Sequence, residues 1–336
     1  MDFLRPPGEP SVAVRELSRW LEADSPAPLL IETSGSTGRP KGVVLPRPAV
    51  LASAEASARR LGATGRWLLA LPPAYVAGVQ VVVRSLLAGH EPVVVTGLDL
   101  AGAVDPDVPT FVSLVPTQLH RILDQPDQRA ALARCHTVLV GGGGLDAELR
   151  RRAEQHGVHV VATYGSSETA GGCVYDGVPL DGVAVTLGAD GRIRIAGPTL
   201  FSHYTGDPDL TAEVLVDGWF LTSDAGRLDD DGRLEVIGRI DDVVVSGGVK
   251  IPLPAVAERL REHPGVHEAE VLGVPDEEWG QRLVAVVVGT AGDAELRDWV
   301  GAVHPRSWAP RQFRRVGALP LLPNGKVDRQ ALRSGL

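Results

Sequence analysis

Through the first half of the chain, short apolar runs alternate with stretches of helical period. The runs fall at residues 28–31, 67–71, 91–95, 110–114, 137–140 and 158–162, and candidate helices at 47–61, 76–88, 116–124 and 145–156 lie between them. Strands separated by helices of this length favour parallel pairing, so this half predicts parallel or mixed sheets flanked by helices. From residue 183 the texture changes. Residues 191–195 (Gly-Arg-Ile-Arg-Ile) and 232–238 (Gly-Arg-Leu-Glu-Val-Ile-Gly) alternate apolar and polar positions between glycine or aspartate turns, the pattern of antiparallel hairpins. A third texture follows residue 238: a helix at 254–262, strands near 267–273 and 283–288, and a helix near 294–303. The expected fold class is α/β, with a large N-terminal domain at residues 1–239 and a small α+β C-terminal domain at 240–336. Charged residues beside glycine at 239–242 read as the linker between them.

Composition narrows the function classes. A chain of 336 residues with 44% hydrophobic and 22% charged positions has the make-up of a soluble globular protein with ample core. A net charge of -9 lacks the basic footprint that phosphate-backbone contact requires, so no nucleic-acid partner is expected. Cys135 and Cys173 cannot make a disulfide framework or a four-cysteine zinc site, which points to a reducing, cytoplasmic setting. Pro6, Pro7, Glu9 and Pro10 stand where an export signal would carry its apolar run. The apolar stretch at 79–87 is interrupted by Gln80 and Arg84 and is too short to span a bilayer, so no membrane insertion is expected. Of 33 basic side chains, only Lys41, Lys250 and Lys326 are lysines.

The densest chemistry lies at residues 33–42, directly after the first apolar run. Thr33, Ser34, Ser36 and Thr37 supply hydroxyls, Gly35, Gly38 and Gly42 let backbone N–H groups approach a ligand, and Lys41 adds a cation. Such a loop at a strand end is suited to a polyphosphate. It is not a Walker A loop, because Pro40 precedes Lys41 and Gly42 follows it. The four glycines at 141–144 invite a dinucleotide reading, but Asp146 occupies the place of the third glycine of that fingerprint. Asp229, Asp230 and Asp231 before Gly232 read as a solvated hairpin turn, and none of the nine histidines forms a spaced metal pair.

The 33–42 segment resembles the phosphate-binding signature of the adenylate-forming superfamily, which includes acyl-CoA synthetases, luciferases and peptide-synthetase adenylation domains. Four further signatures follow in that family's order: Tyr-Gly-Ser-Ser-Glu-Thr at 164–169, Gly-Trp-Phe-Leu-Thr-Ser-Asp at 218–224, Gly-Arg-Ile-Asp-Asp at 238–242 with Gly-Gly-Val-Lys-Ile at 247–251, and Pro-Asn-Gly-Lys at 323–326. The resemblance implies ATP, Mg2+ and CoA as co-substrates and cofactor. It implies that Tyr164 stacks on adenine beside Gly165 and Ser167, and that Glu168, a hard oxygen donor, holds Mg2+ at the phosphates. Asp224 would accept the ribose hydroxyls, and Arg239 would contact ribose or phosphate. Gly142 would lie in a loop shared by adenine and acyl group, Asp241 would be the hinge, and Lys326 would bridge the substrate carboxylate and the α-phosphate.

The acid is harder to read. Residues 71–78, 80–85 and 113–119 resemble the o-succinylbenzoate-CoA ligases of menaquinone biosynthesis. No aspartate occurs between residues 71 and 84, where amino-acid-activating relatives hold the substrate amine. The second carboxylate of a succinylbenzoate needs a partner, because a buried unpaired charge is costly. Arg84 is the candidate, supplemented by Ser113 and Thr117, and a guanidinium suits a carboxylate bidentately. Tyr75 stands where many acyl- and aryl-CoA synthetases have a histidine. Few residues precede the phosphate loop, so an N-terminal subdomain is expected to be largely absent, and a homodimer covering the apolar surface thereby left is carried as a hypothesis. Two rival readings stay open: an adenylating enzyme that loads a carrier protein, and a nucleotide-binding module without catalysis.

Overall fold

The computed structural model describes residues 2–33, 41–322 and 327–335, the Asp241 side chain excepted. The chain opens with α1 (Pro10–Glu22), β1 (Leu29–Thr33), β2 (Lys41–Leu45), α2 (Arg47–Leu61), β3 (Arg66–Leu69), α3 (Val76–Leu87) and β4 (Val93–Val94). It continues through β5 (Thr110–Leu114), α4 (Pro116–Leu123), α5 (Pro126–Leu132), β6 (Thr137–Val140), α6 (Ala147–Gln155) and β7 (Val160–Ser166). A 3-10 turn (Ser167–Thr169), β8 (Gly171–Tyr175) and β9 (Val178–Pro179) complete a seven-stranded sheet of order β4-β3-β5-β6-β7-β8-β9. Pairing is parallel from β4 to β7 and antiparallel from β7 to β9.

Alternation along the parallel strands explains the layering, because successive side chains leave opposite faces of a strand. Trp67, Leu69, Phe111, Leu139 and Val161 face one side, where they pack with Leu17 and Trp20 of α1, Val50 and Ala54 of α2 and Val79 and Val83 of α3. Leu68, Val112, Leu114, Val138, Val140 and Val160 face the other, against Leu119, Ile122 and Leu123 of α4, Leu132 of α5 and Ala153 of α6. With both faces covered, the strands carry the near-continuous apolar runs seen in the sequence. Helix α1, for which the pattern of the sequence gave no expectation, starts where Glu9 accepts the backbone N–H groups of Ser11 and Val12.

Beyond β9 come β10 (Ala184–Leu187), β11 (Arg192–Ala196), β12 (His203–Tyr204), α7 (Pro208–Val214), β13 (Leu215–Val216), β14 (Trp219–Leu228) and β15 (Leu234–Arg239). Here the alternating runs do form antiparallel pairs: β10, β11, β14 and β13 lie side by side, and β15 adds to β14. β12 leaves this group and joins β1 and β2 in a separate antiparallel sheet.

After a 3-10 turn at Ile240–Asp242 the ladders start afresh with β16 (Val243–Ser246) and β17 (Val249–Pro252), then α8 (Leu253–Arg261), β18 (Val266–Asp276), β19 (Gly280–Gly289), α9 (Asp293–Gly301), β20 (Gln312–Arg315) and α10 (Arg329–Ser334). Among the described residues, no strand before this turn pairs with a strand after it. The later segment has its own core, in which Leu253, Val256 and Leu260 of α8 and Leu296 and Val300 of α9 pack on Val271, Leu283, Ala285 and Val287 of the sheet. This is the α+β arrangement expected for the C-terminal part.

Candidate active site

Chain order locates the site. From β3 the chain passes through α3 to β4 on one side, then returns to place β5 on the other side of β3. Such a reversal opens a crevice outside the carboxyl ends of parallel strands, which is where ligands bind in open α/β sheets. Four expected residues lie along this edge. Tyr75 caps α3 just beyond β3, Ser113 is the penultimate residue of β5, Thr117 lies in the first turn of α4, and Gly142 follows β6. Gln118 ties the edge together: its side-chain amide donates to the Ala70 carbonyl at 3.0 Å, and its Oε1 accepts the Val115 N–H at 3.0 Å. Gly142 has φ 77°, a left-handed backbone that an L side chain rarely adopts. Asp146, which broke the dinucleotide fingerprint, is the N-cap of α6 and accepts the N–H groups of Glu148 and Leu149.

The segment read as a phosphate loop connects β1 and β2, which pair antiparallel. Thr33 and Lys41 face each other in register across it, and the Thr33 hydroxyl reaches the Lys41 carbonyl at 3.4 Å. Ser34, Gly35, Ser36, Thr37 and Gly38 lie outside the described residues. β12 runs along the other edge of β2, with Tyr204 opposite Val43, and the Lys41 ammonium sits 5.4 Å from the centre of the Tyr204 ring. The Tyr204 hydroxyl donates to Glu168 Oε1 at 2.7 Å. Burial, reinforced by the Glu168 charge, raises the Tyr204 phenol well above its ordinary pKa, so it remains a neutral donor.

Glu168 is placed by the turn that ends β7. The Thr169 hydroxyl donates to the Gly171 carbonyl at 2.7 Å and accepts the Ser166 N–H at 2.9 Å. Ala170 then takes a left-handed φ of 50°. Buried Gln80 of α3 holds this strained point, its side-chain amide donating to the carbonyls of Ala170 at 2.9 Å and Val50 at 3.1 Å. The Phe201 N–H donates to the Glu168 carbonyl at 2.8 Å. Ser167 opens the turn, and Gly165 is needed just before it because a Cβ there would strike the Gly171 carbonyl across the β7–β8 pair.

A second tyrosine–carboxylate pair stands beside the first. Tyr164 of β7 donates its hydroxyl to Asp224 Oδ2 at 2.7 Å, and burial followed by the Asp224 charge keeps that phenol protonated as well. Asp224 of β14 and Arg239 of β15 face each other in register, with the Arg239 guanidinium 3.9 Å from Asp224 Oδ1. Arg239 leads directly into the 3-10 turn that holds Asp241. The Asp241 side chain and Lys326 lie outside the described residues.

Arg84, expected to pair with the second carboxylate of the acid, is placed away from this edge. α3 runs back along β3, so Arg84, nine residues past Tyr75, lies about 13 Å further along the helix at 1.5 Å per residue. It is 8% exposed, and its guanidinium lies 5.1 Å from the ring of Trp67, near the amino end of β3. The helix interruption read as a substrate cation is a cation packed on an indole. Conversely, Tyr204 and Gln80 were not picked out as site residues. Gln80 stands in the apolar helix as an interruption and in the 80–85 stretch of the ligase resemblance, with no role attached to it, and Tyr204 stands in none of the motif segments. The chain has just four tyrosines, and two of them donate to carboxylates here.

Residues 6–197 match the family of AMP-binding enzymes, and residues 255–326 match the AMP-binding enzyme C-terminal domain. The chain belongs to the AMP-binding enzyme family. It is 42% identical over 335 residues to a probable 2-succinylbenzoate–CoA ligase of Mycobacterium tuberculosis, covering 93% of this chain and 85% of that protein. Its fold is similar to that of o-succinylbenzoate CoA synthetase from Bacillus subtilis in complex with the acyl-adenylate OSB-AMP, with a TM-score of 0.80 and 28% identity over 91% of this chain and 68% of that one. The same Bacillus subtilis enzyme in complex with ATP and magnesium ion aligns with a TM-score of 0.79 at 28% identity, covering 90% of this chain and 69% of that one. Among the described residues no helix is long and apolar enough to cross a membrane.

The donor set fits a hard cation. Glu168 Oε1 is taken by Tyr204, and among the described residues no hydrogen bond engages Oε2. No cluster of three His, Cys, Asp or Glu side chains occurs among them either. One open carboxylate oxygen without a protein cage suits Mg2+, which keeps several waters and takes its remaining ligands from substrate phosphates.

Proposed function

We propose that this chain is an AMP-forming acid–CoA ligase whose acid is o-succinylbenzoate. The observation that carries the acid is the 42% identity to the Mycobacterium tuberculosis protein across 93% of this chain. The reaction class rests on the two tyrosine–carboxylate pairs at the carboxyl edge of the sheet. In the first half-reaction a carboxylate oxygen attacks the α-phosphorus of ATP. The bond to pyrophosphate breaks and acyl-AMP forms. In the second, the sulfur of CoA attacks the acyl carbonyl and AMP leaves with the bonding pair.

The chain's own groups do little covalent work, and positioning supplies the catalysis. Asp224, oriented by Tyr164 and facing Arg239, accepts the ribose hydroxyls and so fixes the α-phosphate over the crevice. Lys41 and the phosphate-loop residues Ser34 to Gly38 draw the pyrophosphate away from the incoming acid. Glu168 holds Mg2+, which neutralises phosphate charge when bound. Tyr75, Ser113, Thr117 and Gly142 line the acyl side. Lys326 bridges the acid and the α-phosphate in the first half, and a turn of the C-terminal part about Asp241 then withdraws it for thioester formation. Both of these last roles rest on the family resemblance.

ATP–pyrophosphate exchange with o-succinylbenzoate, followed by mass measurement of the product after CoA addition, tests the reading. Acid-dependent exchange and an o-succinylbenzoyl-CoA mass are expected. Exchange with other aryl or aliphatic acids but none with o-succinylbenzoate would replace the acid. A thioester formed on a carrier protein but never on CoA would replace the acceptor. In Lys326→Ala, exchange should collapse while thioester formation from supplied acyl-AMP survives; equal loss of both removes Lys326 from its role.

A further inference from the structure

Among the described residues, Tyr204 meets both charged groups proposed for the phosphate end, Glu168 and Lys41. Its hydroxyl donates to Glu168 Oε1 at 2.7 Å, and its ring carries the Lys41 ammonium 5.4 Å from its centre. The residue is itself rigidly held. It is buried, its N–H donates to Thr211 Oγ1 at 2.9 Å, it pairs in register with Val43 two residues after Lys41, and the Phe201 ring packs 4.8 Å away. Phe201, three residues earlier, grips the Glu168 backbone carbonyl with its N–H. One short segment thus fixes both the main chain and the side chain of Glu168 while lying against the strand that starts at Lys41.

We propose that Tyr204 is a positioning residue that presents Glu168 Oε2 to the metal and sets its spacing from Lys41. The Tyr204 hydroxyl donates to Oε1 and so fixes the rotation of the carboxylate, which leaves Oε2 as the oxygen with no hydrogen bond among the described residues and the freer of the two to ligate. The ring face meanwhile attracts the Lys41 ammonium, 5.4 Å from its centre, so the same side chain sets where both groups stand. Without the hydroxyl, the Glu168 carboxylate is released to rotate, which removes the oriented metal ligand while the ring under Lys41 stays in place. This inference rests on the reading of Glu168 as the metal ligand.

The test is equilibrium ATP binding by calorimetry, with Mg2+ and with the metal chelated, in wild type, Tyr204→Phe, Tyr204→Leu and Glu168→Gln. In Tyr204→Phe the gain in ATP affinity on adding Mg2+ should shrink by about five- to tenfold, as loss of a charge-assisted hydrogen bond predicts. Its metal-free affinity should stay within twofold, since the ring under Lys41 remains. Tyr204→Leu should lose metal-free affinity as well. A Tyr204→Phe protein with the full wild-type gain from Mg2+, while Glu168→Gln has lost it, overturns the proposal. So does an equal fall with and without metal, which marks a merely structural role. If Glu168→Gln itself keeps the full gain, the metal reading of Glu168 is what has failed, and the role of Tyr204 fails with it.

Discussion

The two ends of the crevice are built from different materials. At the end proposed for the nucleotide, charged groups are paired and locked: Tyr164 with Asp224 and Arg239, and Tyr204 with Glu168 and Lys41. At the end proposed for the acid, Tyr75, Ser113, Thr117 and Gly142 offer hydroxyls and backbone on strand ends and helix starts. The difference follows from the ligands. Every reaction of this kind presents the same ribose and phosphates, so fixed charges at set distances serve all of them. Acids differ, and a lining of small groups and backbone can be reshaped without disturbing the charges.

The sharpest way to break the contrast is at Asp224. Asp224→Ala removes the acceptor of two ribose hydroxyls and leaves the buried Tyr164 hydroxyl without its carboxylate. Hydrogen bonds to a charged group are worth about 1.5–3 kcal/mol each, so ATP affinity should fall by roughly a hundredfold. Affinity for 2′-deoxy-ATP should fall less. Combined with Tyr164→Phe, the loss should be far from additive, because the phenol acts through Asp224. Equal losses for ATP and its deoxy analogue would detach Asp224 from the ribose.

The same contrast decides what could be read from the sequence. Helices α2, α3, α4 and α6 and the parallel strands were legible because burial on both faces writes itself as apolar runs and helical period. The segments proposed to hold the nucleotide stand out in the sequence because fixed chemistry requires fixed residue types at fixed spacings, as at residues 164–169 and 218–224. Two things were not legible. Tyr204 acts through a contact between residues 36 positions apart, and a single tyrosine in a two-residue strand leaves no periodic trace. Arg84 misled because a cation inside an apolar helix looks like a buried charge awaiting a ligand, while its actual neighbour, Trp67, is brought beside it only when α3 folds back on β3.

A smaller effect is expected from the support beneath Glu168. Gln80→Leu keeps the shape of the side chain but leaves the Ala170 carbonyl in the interior without the Gln80 amide, while the Val50 carbonyl keeps its place in the hydrogen-bond ladder of α2. An unsatisfied buried polar group costs about 1–3 kcal/mol, so urea unfolding should show a loss of about 2 kcal/mol. The metal-dependent part of ATP affinity should weaken in parallel, because the left-handed turn at Ala170 carries Glu168. Affinity for the acid should change less. A variant as stable as wild type would show that the turn holds itself.

The smallest effect is expected where the sequence pointed most strongly to the acid. Arg84→Met keeps a long side chain on Trp67, removes the cation–ring attraction, worth about 0.5–2 kcal/mol depending on its desolvation, and removes a buried Nε without a hydrogen-bond partner, which offsets part of that loss. Thermal or urea unfolding should register a loss within that range. The Michaelis constant for the acid should stay within twofold of wild type, because the guanidinium lies at the amino end of β3 and the crevice at its carboxyl end. Methionine is the better probe than alanine, since an Arg→Ala change would also empty packing space and blur a binding effect with an unfolding one. A tenfold rise in that constant with unchanged ATP affinity would mean that Arg84 reaches the acid after all. It would place a fixed charge at the acyl end too, and the division between a charged nucleotide end and an uncharged acyl end would no longer hold.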